Sequence, residues 1–357
     1  MSRFAGSRCP MGMNTVILVG AGYAGMMVAH RALRRGHAVT LVSERQEFVE
    51  RVRLHEVVAG TRTPASVQRP IRLPRGGEVV TARVARVGEG WVELADGRRL
   101  EADHVVLATG SGAGNGGWDW AMHHREAVAS LGAGQRMLVR GAGLTGIEVA
   151  TEIADQRPDL DVTVVDPQPL GAAFSPRGRE GLMASFGRLR LNQLETADDG
   201  DFDHVIECTG FRRELLATDS GLPVSEQGAV LVDEHLRVQG FTRLWACGDA
   251  ADLSGWAHLR MACATALPMA AHVADQLGRV DRGQALAPFD MGYLGWCLSL
   301  GRRDGLFQYV RRDDAPGGVV LGGRTAVVTK ELICRFAVAG FERFSGVYRG
   351  LEGPRAG

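Results

Sequence analysis

The feature that most constrains this chain is a glycine pattern that occurs twice. The copies read Gly20-Ala21-Gly22-Tyr23-Ala24-Gly25 and Gly141-Ala142-Gly143-Leu144-Thr145-Gly146. Each copy follows a run with strand character and precedes a stretch that suits a helix packed on a sheet. The first glycine of such a unit permits a sharp turn, the second lets the backbone approach a pyrophosphate, and the third lets the helix pack against the strand. Because the N-terminus of a helix attracts phosphate, the pattern predicts two dinucleotide sites.

Each copy is followed by a second strand that ends near an acidic residue. Glu44 lies 19 residues past the last glycine of the first copy, and Asp166 lies 20 residues past the last glycine of the second. A carboxylate at this position accepts hydrogen bonds from a ribose. Asp166 would also repel a ribose 2′-phosphate, so we expect NADH to be preferred over NADPH. Arg177 and Arg179 follow closely, however, and a loop that brought either one back would favour NADPH.

Further motifs lie at the ends of other strands. Residues 103–110 and 203–210 form a second repeated pair, each a short strand that ends in a Thr-Gly turn. Another strand ends at Gly248-Asp249. One glycine pattern alone is often only a glycine-rich turn, but two copies in the same context are hard to obtain by chance.

With these motifs in this order, the chain resembles the two-dinucleotide-binding-domain flavoproteins, which have the pyridine nucleotide-disulfide oxidoreductase fold. This group includes disulfide reductases, ferredoxin reductases and type II NADH:quinone dehydrogenases. The resemblance implies an α/β fold with two nested Rossmann-like dinucleotide-binding domains and a small C-terminal α+β piece. It also implies FAD in the first site and an exchanging NADH in the second, with NADPH as the alternative.

The resemblance assigns residues to each site. The residues implied for FAD are Gly20, Gly22, Tyr23, Ala24, Gly25, Glu44, Arg45, Arg53, Val84, Ala108, Thr109, Gly110, Gly248, Asp249 and Ala266. Those implied for NADH or NADPH are Gly141, Gly143, Leu144, Thr145, Gly146, Asp166, Thr209 and Gly210. The implied domains are a flexible leader (1–12), an FAD-binding domain (13–112 and 226–288), a nicotinamide domain (113–225) and an acceptor or interface domain (289–357). A hairpin with an Asp-Gly turn is predicted at residues 91–100.

Composition limits the partners. The chain has 41 basic and 41 acidic residues, so neither a nucleic acid nor another polyanion is an expected partner. It contains no run of about 18 uncharged apolar residues, and its first 13 residues lack the apolar region of a secretory signal. A cytoplasmic protein is therefore predicted, with peripheral membrane contact as the less favoured alternative. Lys330 is the only lysine, which we attribute to coding bias rather than to function. No metal site is predicted.

Cysteine spacing separates the subfamilies. Disulfide reductases need two thiols close in sequence beside the flavin. The six cysteines here include no CxxC or CxxxxC pair, and residues 43–62 contain none. A thiol relay is therefore not expected. Cys263 stands apart because it lies near an alanine-rich helix, predicted to start at residues 264–266, whose N-terminus faces the flavin pyrimidine in similar proteins.

The candidate catalytic residues are Arg53, His55 and Glu148. In similar proteins the stretch that contains Arg53 and His55 lies beside the isoalloxazine ring, where a cation would favour reduced flavin and a histidine with an ordinary pKa would donate a proton near neutral pH. The alternative is a solvated helix face on which Arg51, Arg53 and Glu56 pair and His55 caps a core contact. Glu148 resembles the carboxylate that orients the nicotinamide, although the helix dipole also favours a glutamate in the first turn.

The C-terminal segment indicates the acceptor. Residues 291–305 and 322–332 resemble the corresponding segment of type II NADH:quinone dehydrogenases, so a quinone is the leading small-molecule acceptor. An amphipathic helix is predicted at residues 329–348, with Ile333, Phe336, Phe341, Phe344 and Tyr348 on one face. This face is expected to pack on the same chain or on a second subunit of a homodimer, ahead of a membrane.

Two other functions remain open. One is a flavin-dependent oxidase or dehydrogenase that acts on a small organic substrate in specialised metabolism, with O₂ as a candidate oxidant. The other is a non-catalytic, NADH-responsive binding protein, because a fold does not determine a function.

Overall fold

The computed structural model describes residues 13–111, 116–256 and 258–353. The predicted leader, residues 1–12, lies outside them. The strands are β1 (Thr15–Val19), β2 (Ala38–Ser43), β3 (Glu47–Val49), β4 (Gln68–Pro70), β5 (Gly77–Thr81), β6 (Val84–Gly88), β7 (Trp91–Leu94), β8 (Arg99–Glu101), β9 (His104–Leu107), β10 (Arg136–Arg140), β11 (Asp161–Val165), β12 (Asn192–Leu194), β13 (His204–Glu207), β14 (Val230–Val232), β15 (Leu244–Ala246), β16 (Ala251–Leu253), β17 (Gly295–Ser299), β18 (Gly305–Val310) and β19 (Pro316–Gly322). The helices are α1 (Tyr23–Arg34), α2 (Leu54–Val58), α3 (Trp118–Ser130), α4 (Leu144–Gln156), α5 (Pro176–Leu189), α6 (Leu216–Asp219), α7 (Cys263–Asp281) and α8 (Gly323–Glu342).

Five parallel strands form the first sheet, in the order β15-β9-β1-β2-β5. The strands β1 and β9 are apolar and buried almost throughout, as expected for a parallel sheet that is covered on both faces. Helix α1 crosses from β1 to β2 and packs beside α7. The antiparallel sheet β6-β7-β8 buries Val87, Val92 and Leu94 in the same core. It confirms the hairpin predicted at residues 91–100, with Gly97 in the positive-φ region at the turn.

Four parallel strands form the second sheet, in the order β12-β11-β10-β13, and α4 crosses from β10 to β11. Together, the two sheets confirm the predicted α/β class with two Rossmann-like units. The core of the second sheet also takes in Leu54 and Val57 of α2, which precedes the sheet in the chain. The core of the first sheet takes in Ala217 and Leu222, a few residues ahead of the domain boundary predicted at 225. Each core thus includes a segment from across a predicted boundary.

The C-terminal piece has the predicted α+β character and joins both cores. Its antiparallel sheet, β17-β18-β19, buries Trp296, Leu298 and Leu306 in the second core. Helix α8 buries Val338 and Phe341 in the first core. One small piece of chain therefore packs against both dinucleotide units.

The helix predicted at residues 329–348 is shifted toward the N-terminus, because α8 spans Gly323–Glu342. The helix begins earlier since the turn from β19 occurs at Gly323, which has φ +64°. It ends earlier, at Glu342, and the segment that follows packs against α1, where the buried guanidinium of Arg31 donates to the carbonyl oxygens of Ser345 and Tyr348, at 2.5 and 3.0 Å.

The predicted apolar face of this helix is divided between the interior and the surface. Phe341 is buried, with its ring centroid 6.4 Å from that of Tyr23 and 5.1 Å from that of Phe48. Phe336 is 60% exposed and stacks on Phe344, which lies past the end of α8. Packing on the same chain therefore accounts for only part of the face. No helix in the described ranges is long and apolar enough to cross a membrane.

The first glycine loop yields a stability prediction. A Cβ atom on Gly25 would overlap the carbonyl oxygen of Gly20, whereas a Cβ atom on Gly22 would have no heavy atom within 4 Å. We expect Gly25→Ala to lower the free energy of unfolding by about 1–3 kcal/mol, because the backbone must move. Gly22→Ala is the matched control and should change it by less than about 0.5 kcal/mol. Urea unfolding of the cofactor-free protein, followed by circular dichroism, measures both, and equal losses would contradict the prediction.

Candidate active site

The first glycine loop lies between β1 and α1. Gly20 adopts φ +105° and packs against the backbone of Ala108 at the end of β9, where the Thr109-Gly110 turn follows. Gly25 packs against Gly20, so that α1 starts close to the strand. Gly22 is the N-cap of α1 and faces open space. The N-terminus of α1 is thus open to a phosphate group.

Residues from three other parts of the chain meet at this loop. Gly248 follows β15 with φ +68°, and a Cβ atom on it would lie 3.1 Å from the Cβ atom of Ala24 and 3.5 Å from that of Ala266 on α7. Asp249 accepts a hydrogen bond from the Ser111 hydroxyl (2.9 Å), and burial raises the pKa of its carboxyl group. The structure therefore brings together the predicted FAD residues that end β1, β9 and β15.

The remaining residues predicted for FAD lie on other elements. Glu44 and Arg45 follow β2 on the protein surface. The Oε1 atom of Glu44 is 3.8 Å from Nε of Arg83, and Arg45 forms an ion pair with Asp119 at 2.8 Å. Val84 starts β6 in the small antiparallel sheet. Their contact with a cofactor stays a prediction.

The second glycine loop repeats the same geometry between β10 and α4. Gly141 has φ +101°, Gly146 packs against its carbonyl group, and Gly143, the N-cap of α4, faces open space. Asp166 follows β11 and accepts a hydrogen bond from the backbone N–H of Ala142 (2.7 Å), which places its carboxylate against the loop. The other residues predicted here are Leu144 and Thr145 at the start of α4 and the Thr209-Gly210 turn after β13, where Thr209 packs against the first glycine of the loop.

Both loops fit a bound dinucleotide. In each one, the middle glycine leaves open the space in which a pyrophosphate would approach the backbone. The hydroxyl group of Tyr23, in the first turn of α1, and the Nε2 atom of His55 are buried and have no hydrogen-bond partner among the described residues. Since buried polar groups are normally paired, both atoms are candidates for contact with a cofactor or a substrate.

Glu148 of α4 lies at the centre of the catalytic candidates. Its Oε1 atom accepts hydrogen bonds from the backbone N–H of Ser299 (2.8 Å) and from the ammonium group of Lys330 on α8. Both charged side chains are largely buried. Burial acts to lower the pKa of Lys330, but the Glu148 carboxylate, with other neighbouring groups, acts in the opposite direction, and the pKa is raised above its usual value. An ammonium group that stays charged through the neutral range thus contacts the helix of the second glycine loop.

Lys330 is the functional candidate that sequence reasoning missed. The sequence contains no other lysine, and this singularity could have marked Lys330 as a functional candidate. Coding bias explains the absence of other lysines but not the retention of this one. A compact ammonium group suits a buried pairing with one carboxylate, which the broad planar guanidinium of arginine does not reproduce.

His55 lies on α2 between two carboxylates. Its Nδ1 atom is 3.7 Å from Oε2 of Glu148, and its Nε2 atom is 3.9 Å from Oε1 of Glu56. Burial, and then the positive charges of Lys330, Arg302 and neighbouring arginines, lower its pKa well below the usual value. The expectation of an ordinary pKa is therefore wrong, and His55 is an uncharged imidazole at neutral pH.

The alternative of a solvated helix face around Arg53 is also wrong. Arg53 and Glu56 are only 4% and 3% exposed. The Arg53 guanidinium binds Glu50 (2.9 Å) and, on α8, Glu331 (2.8 Å), and it lies 3.5 Å from Glu56. Arg53 thus connects α2 to α8 through Glu331, while Glu50 and Glu56 pair with it on its own segment, and its direct contact with a flavin stays a prediction.

A second charge pair, between buried Glu152 and partly exposed Arg302, lies one helical turn beyond Glu148. Glu152 is fully buried and accepts hydrogen bonds from Thr61 (2.5 Å) and Arg302 (2.7 Å). Arg302 also lies 3.4 Å from Glu56. The sequence analysis missed this pair, and the spacing of two glutamates on α4 is the one sequence signal for it.

The five described cysteines are free thiols, and Cys9 lies outside the described residues. Cys263 is the first residue of α7, one residue before the predicted start of the helix. Burial raises its pKa to about 12, and the same cause raises the pKa of Cys297 to about 12. Both thiols are therefore protonated and weakly reactive at neutral pH. In the part of the chain that the structure describes, no group of three or more His, Cys, Asp or Glu side chains could hold a metal ion.

A comparison with protein families matches residues 14–278 to the family described as pyridine nucleotide-disulphide oxidoreductase. The chain belongs to this family. It is an FAD-dependent NAD(P)H oxidoreductase close to the type II NADH dehydrogenases, which confirms the resemblance drawn from the motifs. The two open glycine loops agree with a flavin and a nicotinamide nucleotide as its cofactors.

Curated relatives cover most of this oxidoreductase. Ferroptosis suppressor protein 1 of Taeniopygia guttata is 26% identical over 344 residues, which are 85% of this chain and 91% of the relative. An NADH dehydrogenase-like protein of Mycobacterium tuberculosis is 26% identical over 301 residues, which are 67% of this chain and 73% of the relative.

Solved structures share the fold of this oxidoreductase. The structure of NDH2 from Plasmodium falciparum in complex with NADH has a TM-score of 0.76 at 15% identity and covers 93% of this chain and 96% of its own. The sulfide:quinone oxidoreductase from Aquifex aeolicus has a TM-score of 0.77 at 15% identity and covers 96% of this chain and 100% of its own. At 15% sequence identity, this structural similarity establishes a shared fold.

The buried pair of Glu148 and Lys330 yields a double-mutant prediction. Lys330→Met leaves a buried carboxylate without its cation and should lower the free energy of unfolding by about 3 kcal/mol. Glu148→Gln removes the partner of the ammonium group and should act in the same direction. The double variant should lose less than the sum of the two, by about 0.5–3 kcal/mol.

Urea unfolding of the four proteins measures this coupling. Arg335→Met is the matched control, because Arg335 is an exposed cation on the same helix that pairs with Glu331 at the surface. It should cost less than about 1 kcal/mol. Additive losses for Lys330→Met and Glu148→Gln would contradict the prediction.

Proposed function

We propose that this oxidoreductase transfers two electrons from NADH through FAD to a small quinone. The observation that carries the proposal is the buried pair of Glu148 and Lys330, which connects the helix of the second glycine loop to the C-terminal piece. The similar proteins support it, since one is described in complex with NADH and another as a sulfide:quinone oxidoreductase.

In this proposal, the second glycine loop binds the nicotinamide nucleotide. The open side of Gly143 receives the pyrophosphate at the N-terminus of α4. The Asp166 carboxylate, held against the loop by Ala142, accepts a hydrogen bond from a free ribose 2′-hydroxyl group. The same carboxylate repels a 2′-phosphate, so NADH is the preferred donor and NADPH the weaker one.

When bound, FAD would supply the two-electron carrier between the nicotinamide and the acceptor. The chain supplies the charges around the acceptor. The buried ammonium group of Lys330 stabilises negative charge that develops on a quinone oxygen, because a fixed cation in a water-poor site acts strongly. Glu148 holds this ammonium group and keeps it protonated. Arg53 positions α8, which carries Lys330, through its ion pair with Glu331.

The proposed domains follow the two loops. The segments 13–112 and 226–288 bind FAD, the segment 113–225 binds the nicotinamide nucleotide, and the segment 289–357 forms the acceptor side. The structural basis for the last assignment is that Lys330 reaches Glu148 from α8, while Ser299 reaches it from β17.

Anaerobic mixing tests the proposed function. NADH should bleach the flavin absorbance at about 450 nm, faster than NADPH at equal concentration, and a quinone should restore the absorbance. Lys330→Met should slow reoxidation by the quinone about a hundredfold. The same variant should keep most of the rate of reduction by NADH, because Lys330 acts on the acceptor.

Arg335→Met is again the matched control and should reoxidise at the wild-type rate, since its charge is exposed. A flavin that stays unbleached while NADH binds would overturn the proposal and favour a binding protein. Reoxidation by another small organic substrate, and by no quinone, would overturn the quinone assignment and favour an enzyme of specialised metabolism.

We also propose that the exposed apolar face of α8 contacts a second subunit. Val328, Leu332 and Phe336 recur at helical spacing and are 59%, 60% and 60% exposed. A contiguous apolar surface of this kind usually marks an interaction site. Contact with a second subunit would remove it from water.

The double variant Leu332→Ser, Phe336→Ser should therefore change the mass in analytical ultracentrifugation from dimer to monomer. Val319→Ser, at an exposed apolar position on β19, is the matched control and should leave the mass unchanged. A monomeric wild-type protein would overturn the subunit contact. Binding of that monomer to lipid vesicles, abolished by the same double variant, would assign the face to a membrane instead.

A further inference from the structure

We propose that His55 takes up one proton from solvent when the bound FAD is reduced and delivers that proton to the acceptor. The inference rests on the proposed function and names the source of the proton that the acceptor needs in addition to a hydride. It follows from the charges around the imidazole, from its two near contacts and from its unpaired nitrogen.

Charged groups of both signs surround His55. The cations are Arg53, Arg62, Arg69, Arg125, Arg302, Arg335 and Lys330, and the carboxylates are Glu50, Glu56, Glu148, Glu152 and Glu331. They belong to α2 and its flanking segments, to α3, to α4, to the turn between β17 and β18, and to α8. Since each carboxylate already binds at least one of these cations, the uncharged His55 lies among paired charges.

His55 is the uncharged base of this cluster. Burial also raises the pKa of the Glu152 carboxyl group, but Glu152 is already bound by Thr61 and Arg302. Glu148 already accepts two hydrogen bonds, and Lys330 already carries its proton. The imidazole is uncharged because burial and the surrounding cations lower its pKa. Its Nε2 atom has no hydrogen-bond partner in the described part of the chain. Electrons on a flavin bound beside this cluster would add negative charge, and a protonated His55 would compensate that charge.

The two ring nitrogens of His55 face opposite ends of the cluster. Nε2 lies 3.9 Å from Glu56, whose carboxylate binds the partly exposed Arg62 and lies 3.4 Å from the partly exposed Arg302. Nδ1 lies 3.7 Å from Glu148, which binds the ammonium group of Lys330. A small side-chain movement turns either approach into a hydrogen bond. A proton therefore enters from the surface beside Glu56 and leaves toward Glu148.

The proposed step balances. NADH delivers two electrons and one proton to the cofactor as a hydride and leaves as NAD⁺, while His55 takes one proton from solvent. The hydride equivalent and the His55 proton then add two electrons and two protons to a quinone. The products are the hydroquinone, the oxidised cofactor and an uncharged His55, and no further reactant is needed.

Proton uptake during flavin reduction tests this role. The FAD-bound protein is mixed anaerobically with NADH near neutral pH in a weakly buffered solution that contains a pH-indicator dye. Reduction by a hydride consumes no solvent proton itself, so the wild-type protein should take up about one proton per flavin reduced. His55→Gln should take up close to none while its flavin is still bleached by NADH.

His272→Gln is the matched control, because His272 is half-buried and burial also lowers its pKa, to about 4, but it lies on α7 against Phe289 and not in the charge cluster. It should take up as much proton as the wild-type protein. If His55→Gln does not fold, the pH dependence of proton uptake by the wild-type protein tests the role of His55. This uptake should fall toward zero at high pH, because the imidazole then stays unprotonated in the reduced protein.

The outcomes separate this inference from the proposed function. Wild-type uptake of zero at every pH, or equal uptake by wild type and His55→Gln, would overturn the role of His55 while leaving NADH oxidation intact. A flavin that NADH does not bleach would overturn the proposed function itself. Reoxidation by a quinone should change the dye little in the wild-type protein, because the proton held by His55 goes to the hydroquinone. His55→Gln should instead draw about one proton per flavin from the solution during reoxidation.

Discussion

The ion pair between Glu148 and Lys330 is the interaction on which the arrangement of the molecule depends. Its two residues are 182 positions apart in the chain and lie on α4 and α8. Charges that are removed from water are tolerated only when they are paired. This requirement holds the C-terminal helix against the second dinucleotide unit. Because Phe341 of the same helix is buried in the first core, α8 contacts both units.

The same pairing determines the chemistry that the site can perform. Glu148 keeps Lys330 protonated, and Lys330 in turn helps to keep His55 uncharged. Arg53 and Glu331 tie α2 to α8 and so bring the histidine to this pair. A cation and an unprotonated base consequently lie side by side, within reach of one carboxylate. Such a site can stabilise negative charge and accept a proton without a movement of the backbone.

The parts of the fold that local backbone geometry controls could be predicted from the sequence. Gly20 and Gly141 need positive φ angles, and Gly25 and Gly146 leave no room for a side chain, so each loop is readable from a few neighbouring residues. Two sheets, two crossover helices and one hairpin followed from these signals and from apolar periodicity. The limits of α8 did not follow, because the segment after it is held by a distant side chain, the guanidinium of Arg31 on α1.

The candidate site was predictable only in part. Glu148 was found because it directly follows a glycine motif, whereas Lys330 and Arg302 have no local pattern and acquire a role only beside their carboxylates. The pKa of His55 was wrongly expected to be ordinary, since the charges that lower it come from three separate regions of the chain.

The sequence by itself thus determined where two dinucleotides would meet the backbone, because a tight turn and a close approach need glycine at particular positions. Only the tertiary structure decided which charges lie together beyond those loops. Coulomb interactions depend on distance in space and on exclusion of water, and neither quantity is encoded in the spacing of residues along the chain.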